Sequence, residues 1–230
     1  MGKRIIQRAR GKGGPRYRSP GHRYEGAIKY PAAGEFIVRN IIHDAARDAP
    51  LVVGKDSIGR DILFIAAEGL AVGQKLNIGG KAESGNVVPI SSVEKGSFIF
   101  GIENSPGSGP KFCCTAGTHA TIVSKETGKV IVQMPSKKQL EFDPRCLVTV
   151  GIAAGGGRND KPYVKAGQLF YATQARNTLW PRSSANKMNP VDHPFGGKTK
   201  PGTPKTISRW APPGAKVGAV AARRSGVRKK

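Results

Sequence analysis

Carboxylates are scarce in this sequence: 15 Asp and Glu face 38 Lys and Arg in 230 residues, leaving a formal charge of +23 and an isoelectric point near 10.4. Such an imbalance implies a polyanionic partner. Aromatic residues are also few, at 7%, and hydrophobic residues make up 38%. That supply fills one or two small cores, not one tightly packed 230-residue domain. No run approaches the roughly 20 apolar residues of a membrane span, so an integral membrane protein is not expected. The opening MGKRIIQRARGKGG is basic but has no apolar stretch behind it, unlike a secretion signal. Cysteine is limited to Cys113, Cys114 and Cys146, an odd number with two adjacent. This argues against a disulfide framework and fits a reducing compartment. Cys113-Cys114 also lacks the two-residue spacer of a zinc knuckle, and Cys146 has no His or Cys near it in sequence, so no metal site is expected.

Glycine and proline are abundant, 48 of 230 residues, about a fifth where average usage gives roughly an eighth. A helical bundle is not compatible with that. The charge is uneven: residues 1–30 carry a net +8, residues 31–160 a net +1 and residues 161–230 a net +14. In the nearly neutral middle, β-branched and aromatic runs recur at intervals of roughly 8–12 residues between turn formers, the pattern of small β modules. One set of strands is expected at Glu35–Ile42, Leu51–Val53, Asp61–Ala66, Lys75–Ile78 and Asn86–Ile90. A second is expected at Ser97–Glu103, Lys111–Thr115, Ala120–Val123, Lys129–Met134, Gln139–Phe142 and Cys146–Val150, with a hairpin loop at Lys125 to Gly128 and the boundary between the sets near Ser91–Gly96. Small closed barrels suit sets of this size. One helix is expected over Lys165–Thr178, where Leu169, Phe170 and Thr173 share a face.

The two ends differ from the middle. Their Gly, Pro and basic residues bury too little apolar surface to offset ordering entropy, so both are expected to be shapeless without a partner. Arg or Lys at short intervals on an extended backbone neutralises several phosphates at once. Tyr17, Tyr24, Trp180, Phe195 and Trp210 lie among these charges and are suited to stacking on unpaired bases. Amphipathic periodicity of the kind that binds membrane surfaces is lacking. Threading through folded RNA fits this Gly and Pro content better than lying along a DNA duplex.

Several strings carry a specific resemblance: NPVDHPFGG at 189–197, VGIAAGGGRNDKP at 150–162, LFIAAEGL at 63–70, IIHDAARDAPL at 41–51 and APPGAKVGAVAARRSG at 211–226. In order and over nearly the whole chain, they resemble the universal large-subunit ribosomal protein L-two family in its archaeal and eukaryotic form. The resemblance implies a mainly β fold: a basic N-terminal extension (1–30), an OB-fold barrel (31–92), an SH3-like barrel (93–165), then a short helix and a basic C-terminal extension (166–230). It further implies a structural, cytoplasmic constituent of the large ribosomal subunit. Its partners would be large-subunit rRNA, neighbouring ribosomal proteins and, at the interface, the small subunit, with no membrane and no small-molecule substrate. The arms would stabilise rRNA near the peptidyl transferase centre, and the protein would support subunit association, tRNA binding and peptide-bond formation. The chain departs from the family at Lys111-Phe112-Cys113-Cys114, where Cys114 replaces a basic residue, and at Ala185-Asn186-Lys187 before Met188.

On this reading the RNA-binding residues are Lys3, Arg4, Arg8, Arg10, Lys12, Arg16, Arg18 and Arg23 in the first arm. Arg158 and Lys161 follow the glycine run. Arg176, Arg182, Lys187, Asn189, His193, Lys198, Lys200, Lys205, Arg209, Lys216, Arg223 and Arg224 complete the set. His193 is the one catalytic candidate, since imidazole titrates near neutrality. Asp192 is only its sequence neighbour, however, and Pro190 and Pro194 suggest a rigid docking loop, so no enzyme is expected. Gly155-Gly156-Gly157-Arg158 lacks the Gly-Lys-Ser/Thr ending of a nucleotide loop and is expected to approach rRNA phosphates. No cofactor is expected beyond rRNA-associated Mg2+.

Overall fold

A computed structural model describes residues 5–30, 33–55, 58–198, 206–212 and 216–222. The chain forms two compact units, a body of Gly21–Val164 and a second unit that combines Met1–Pro20 with Lys165–Lys230.

The body has the mainly β architecture expected from its short apolar runs. The first strand set is β1 (Gly34–Ile42), β2 (Leu51–Lys55), β3 (Asp61–Ile65), β4 (Lys75–Ile78) and β5 (Val87–Pro89). The second is β6 (Phe98–Phe100), β7 (Ile102–Glu103), β8 (Pro110–Phe112), β9 (Ala120–Glu126), β10 (Lys129–Gln133), β11 (Gln139–Phe142) and β12 (Leu147–Val150). In the first set Phe36 and Val38 alternate inward along β1, and Phe36 meets Phe64 edge-on at 5.0 Å. Opposite them a Cβ on Gly54 would lie 2.4 Å from the Phe36 ring, so only glycine fits there.

The two sets do not form separate sheets. Ten strands run in the order β11-β10-β9-β6-β12-β5-β4-β1-β2-β3, with β7 and β8 paired apart. The joint is β5, parallel to β4 through Ile78 and Val87 and antiparallel to β12 over Val87–Pro89. Successive strand side chains point to opposite faces, so Val87 enters the core of the first set and Val88 that of the second. Leu147 and Val148 divide in the same way on β12. A third apolar cluster, including Leu51, Ile65 and Phe100, draws on both sets.

The run expected as one strand over Ser97–Glu103 is broken at Gly101, which takes φ +61°. The Tyr30 hydroxyl lies against it, donating to the Gly101 carbonyl at 2.5 Å and meeting Thr149 Oγ1 at 2.8 Å. Just beyond the break, Glu103 is buried. Its carboxylate accepts the N–H groups of Gly107, Gly109 and Leu147 at 3.1, 2.8 and 2.9 Å, tying the β7–β8 loop to β12. The hairpin between β9 and β10 turns at Thr127-Gly128, where Gly128 has φ +84°.

Cys113 has φ +52° and packs against the second core and the third cluster, while Cys114 contacts the third cluster. Burial pushes both thiols up to about 11 and raises the buried Cys146 as well. The thiolate is the nucleophile, so a raised thiol is inert at neutral pH.

The second unit is not the shapeless pair of arms expected. Its first part forms α1 (Ile6–Gly11) and a 3-10 turn at Pro15–Tyr17. Its second part opens with α2 (Ala166–Ala175) and includes a short parallel pair, β13 (Thr206–Ile207) and β14 (Ala219–Val220). The two ends of the chain meet at one side chain. α2 ends in a Schellman turn, with Asn177 at φ +51° and the Thr178 N–H on the Thr173 carbonyl at 2.9 Å. From there Asn177 Nδ2 donates to the Arg18 carbonyl at 3.0 Å and the Pro15 carbonyl at 3.4 Å.

Two outcomes follow from the body. Glu103→Ala strands three N–H groups and should destabilise the protein by about 3 kcal/mol in urea unfolding; a loss below about 1 kcal/mol would contradict the role of that carboxylate. Iodoacetamide at pH 7.5 should label the three native cysteines slowly and the denatured ones quickly, with the rates at Cys113 and Cys114 rising towards pH 11 rather than near 8.5.

Candidate nucleic-acid interface

The charge divides between the units much as it does along the sequence. The unit of Met1–Pro20 and Lys165–Lys230 holds 21 basic residues against Asp192 alone, a net +20, and leaves +3 on the body. Arg8 and Arg10 lie in the last turn of α1, with Lys12 as its C-cap. Arg16 sits in the 3-10 turn, and Arg18 is held by its Nε–H on the Gly13 carbonyl at 2.7 Å. Arg176 caps α2, Lys187 closes the 3-10 turn of Ala185–Lys187, and Arg209 and Lys216 flank the β13–β14 pair. All of these except the half-buried Arg176 are exposed, as are Arg182, Asn189 and Lys198. Beside Arg209, Trp210 leaves 89% of its surface open, an unused stacking face in a cationic setting. Lys3, Arg4, Lys200, Lys205, Arg223 and Arg224 lie outside the described residues.

His193 is arranged differently. Its side chain is only 4% exposed. Its Nδ1 accepts the Phe195 N–H at 3.0 Å, so the neutral ring carries its proton on Nε2. The loop closes around it: Asp192 and His193 donate their N–H groups to the Asn189 carbonyl, and Gly197 donates to that of Met188. A Cβ on Gly196 would fall 2.4 Å from the Asn189 oxygen, so the fold of this loop needs glycine. His193 is thus an internal brace of a compact loop, with one ring nitrogen already committed.

Arg23, Arg158 and Lys161 belong to the body. Arg158 donates to the Asp48 carbonyl at 3.0 Å and its carboxylate at 2.8 Å. The run before it is exposed, yet two of its glycines lie close to neighbouring chain, since a Cβ on Gly155 would meet Ala116 at 3.3 Å and one on Gly117 would meet Gly156 at 2.7 Å. These glycines therefore have a packing role that the motif did not suggest. Arg23 and Lys161 are exposed. Cys114, at the position of a missing basic residue, has Arg47 and Lys111 for its charged neighbours, while Arg47 itself pairs with buried Asp44 and donates to the Gly26 carbonyl at 2.9 Å.

Sequence reasoning missed Asn177, because an asparagine after a helix signals only a stop, not the bond it makes 159 residues away. Among the described residues no group of three His, Cys, Asp or Glu could hold a metal, and no helix is long and apolar enough to cross a membrane.

The family described as Ribosomal Proteins L2, C-terminal domain, matches residues 83–217, more than half of the chain. Full-length similarity extends further. The large ribosomal subunit protein uL2 of Methanothrix thermoacetophila is 45% identical over 99% of this chain and 100% of its own length. That of Archaeoglobus fulgidus is 45% identical over 100% of both, and that of Methanococcoides burtonii 44% identical over 99% of this chain and all of its own. A neutral β body beside a cationic, Gly- and Pro-rich unit, matched end to end by archaeal proteins of one kind, makes this chain a member of the ribosomal protein L2 family, of the archaeal type.

Proposed function

We propose that the chain is a structural constituent of the large ribosomal subunit that binds large-subunit rRNA, chiefly through the unit formed by its two ends. The observation that carries this is the net +20 on that unit, with a single carboxylate in its sequence and most of its described basic side chains exposed. Cations that cannot be paired internally find their counter-charge in phosphate, and each phosphate neutralised releases condensed ions. The near-neutral body, by contrast, suits contacts with neighbouring ribosomal proteins and the small subunit. The setting is the ribosome in the cytoplasm. The cationic unit reaches rRNA near the peptidyl transferase centre and thereby supports subunit association, tRNA binding and peptide-bond formation.

No catalytic step is assigned to the chain. His193 is buried and its Nδ1 is taken by a backbone N–H, so it supports the 189–197 loop instead of presenting a general base. No cofactor of the chain's own is required; Mg2+ in this setting belongs to the RNA phosphates.

Deleting residues 180–230 should leave the body folded, seen as an unchanged β signal in circular dichroism, and abolish incorporation into large subunits on a sucrose gradient. Normal incorporation of the truncated chain would refute the assignment of binding to this unit.

A further inference from the structure

Where the N-terminal segment docks on the end of α2, two adjoining cavities open. The first, about 270 Å³, is lined by the aromatic Tyr17, Phe170 and Trp180, by Arg16, and by the polar Thr173, Gln174 and Asn177. Phe170 and Trp180 stand roughly edge to face, their centroids 6.5 Å apart. The second, about 470 Å³, shares Tyr17, Asn177, Thr178 and Leu179 and adds Arg10 and Arg182. Asn177, which lines both, holds the Pro15–Arg18 backbone against the helix end.

We infer that this pair of cavities is a site for one extruded nucleotide of the rRNA, with the base in the aromatic cavity and its phosphate beside Arg10 and Arg182; the inference rests on the rRNA-binding reading above. The first cavity lies at the lower edge of the roughly 300–1,000 Å³ typical of small-ligand pockets, so it admits a single ring system and not a run of bases. Three aromatic side chains offer stacking to an unpaired base, and the side-chain oxygens of Thr173 and Asn177 offer acceptors to its edge. The neighbouring cavity concentrates the guanidinium groups, whose planar forks match phosphate. Three aromatic side chains line the first cavity and arginines line both, so a base held in the first has guanidinium groups close by for its phosphate. The site also gives the two ends of the chain a shared ligand, so that binding one base fixes the docking of both.

The test uses the full chain reconstituted with a large-subunit rRNA transcript, with base accessibility mapped by dimethyl sulfate and carbodiimide. Wild type should protect an unpaired base that becomes reactive with Tyr17→Ala and with Trp180→Ala, while the rest of the footprint persists and overall affinity falls by about 5- to 150-fold. Trp180→Phe should restore the protection, which a merely misfolded variant would not allow. An identical footprint for wild type and both alanine variants overturns the nucleotide site but leaves rRNA binding intact. No footprint from wild type overturns the rRNA reading and this site with it. Selective loss of the protection under excess mononucleotide would show a site for a free nucleotide and overturn its assignment to rRNA.

Discussion

Like-charge repulsion within the second unit is the constraint on which the molecule depends. Two unit charges 4 Å apart in water interact by about 1 kcal/mol, and physiological salt screens only beyond about 8 Å. A net +20 on one unit therefore opposes its own compaction. Nor does a core counteract it: among the described residues, the buried apolar side chains all belong to the body except Pro20 and Val217. The unit is held by backbone turns, by the Schellman end of α2 and by the Asn177 bonds to the opposite end of the chain. A bound polyanion would remove the repulsion and add contacts that the unit lacks on its own.

The body answers the opposite need. It carries little net charge and three apolar clusters, and the division of Val87 and Val88 on β5 and of Leu147 and Val148 on β12 between two cores, with the shared third cluster, joins its halves. This rigidity needs no partner. The near-neutral body with its own cores is thus distinct from a cation-rich unit that has little core of its own.

Much of this was legible in the sequence because it rests on composition and period. Strands β4 and β11 coincide with their apolar runs, and the charge blocks mark the cationic unit without any structure. What was not legible depends on partners distant in sequence. The break at Gly101 is set by a tyrosine hydroxyl 71 residues away, and Glu103 is buried because loop N–H groups converge on it. Arg158, grouped with RNA ligands beside its glycine run, also donates to Asp48, 110 residues away. His193 was weighed by residue type, and only the fold shows its ring braced inside the loop. Local pattern carries the elements and the sign of the charge; the fate of each polar group is decided by the fold.

The most direct test is the salt dependence of binding to a large-subunit rRNA transcript. If the cationic unit binds by neutralising on the order of ten phosphates, log affinity should fall against log salt with a slope of roughly −7 to −9. A slope between zero and about −1 would mean that phosphate neutralisation does not drive the association, and would contradict the account.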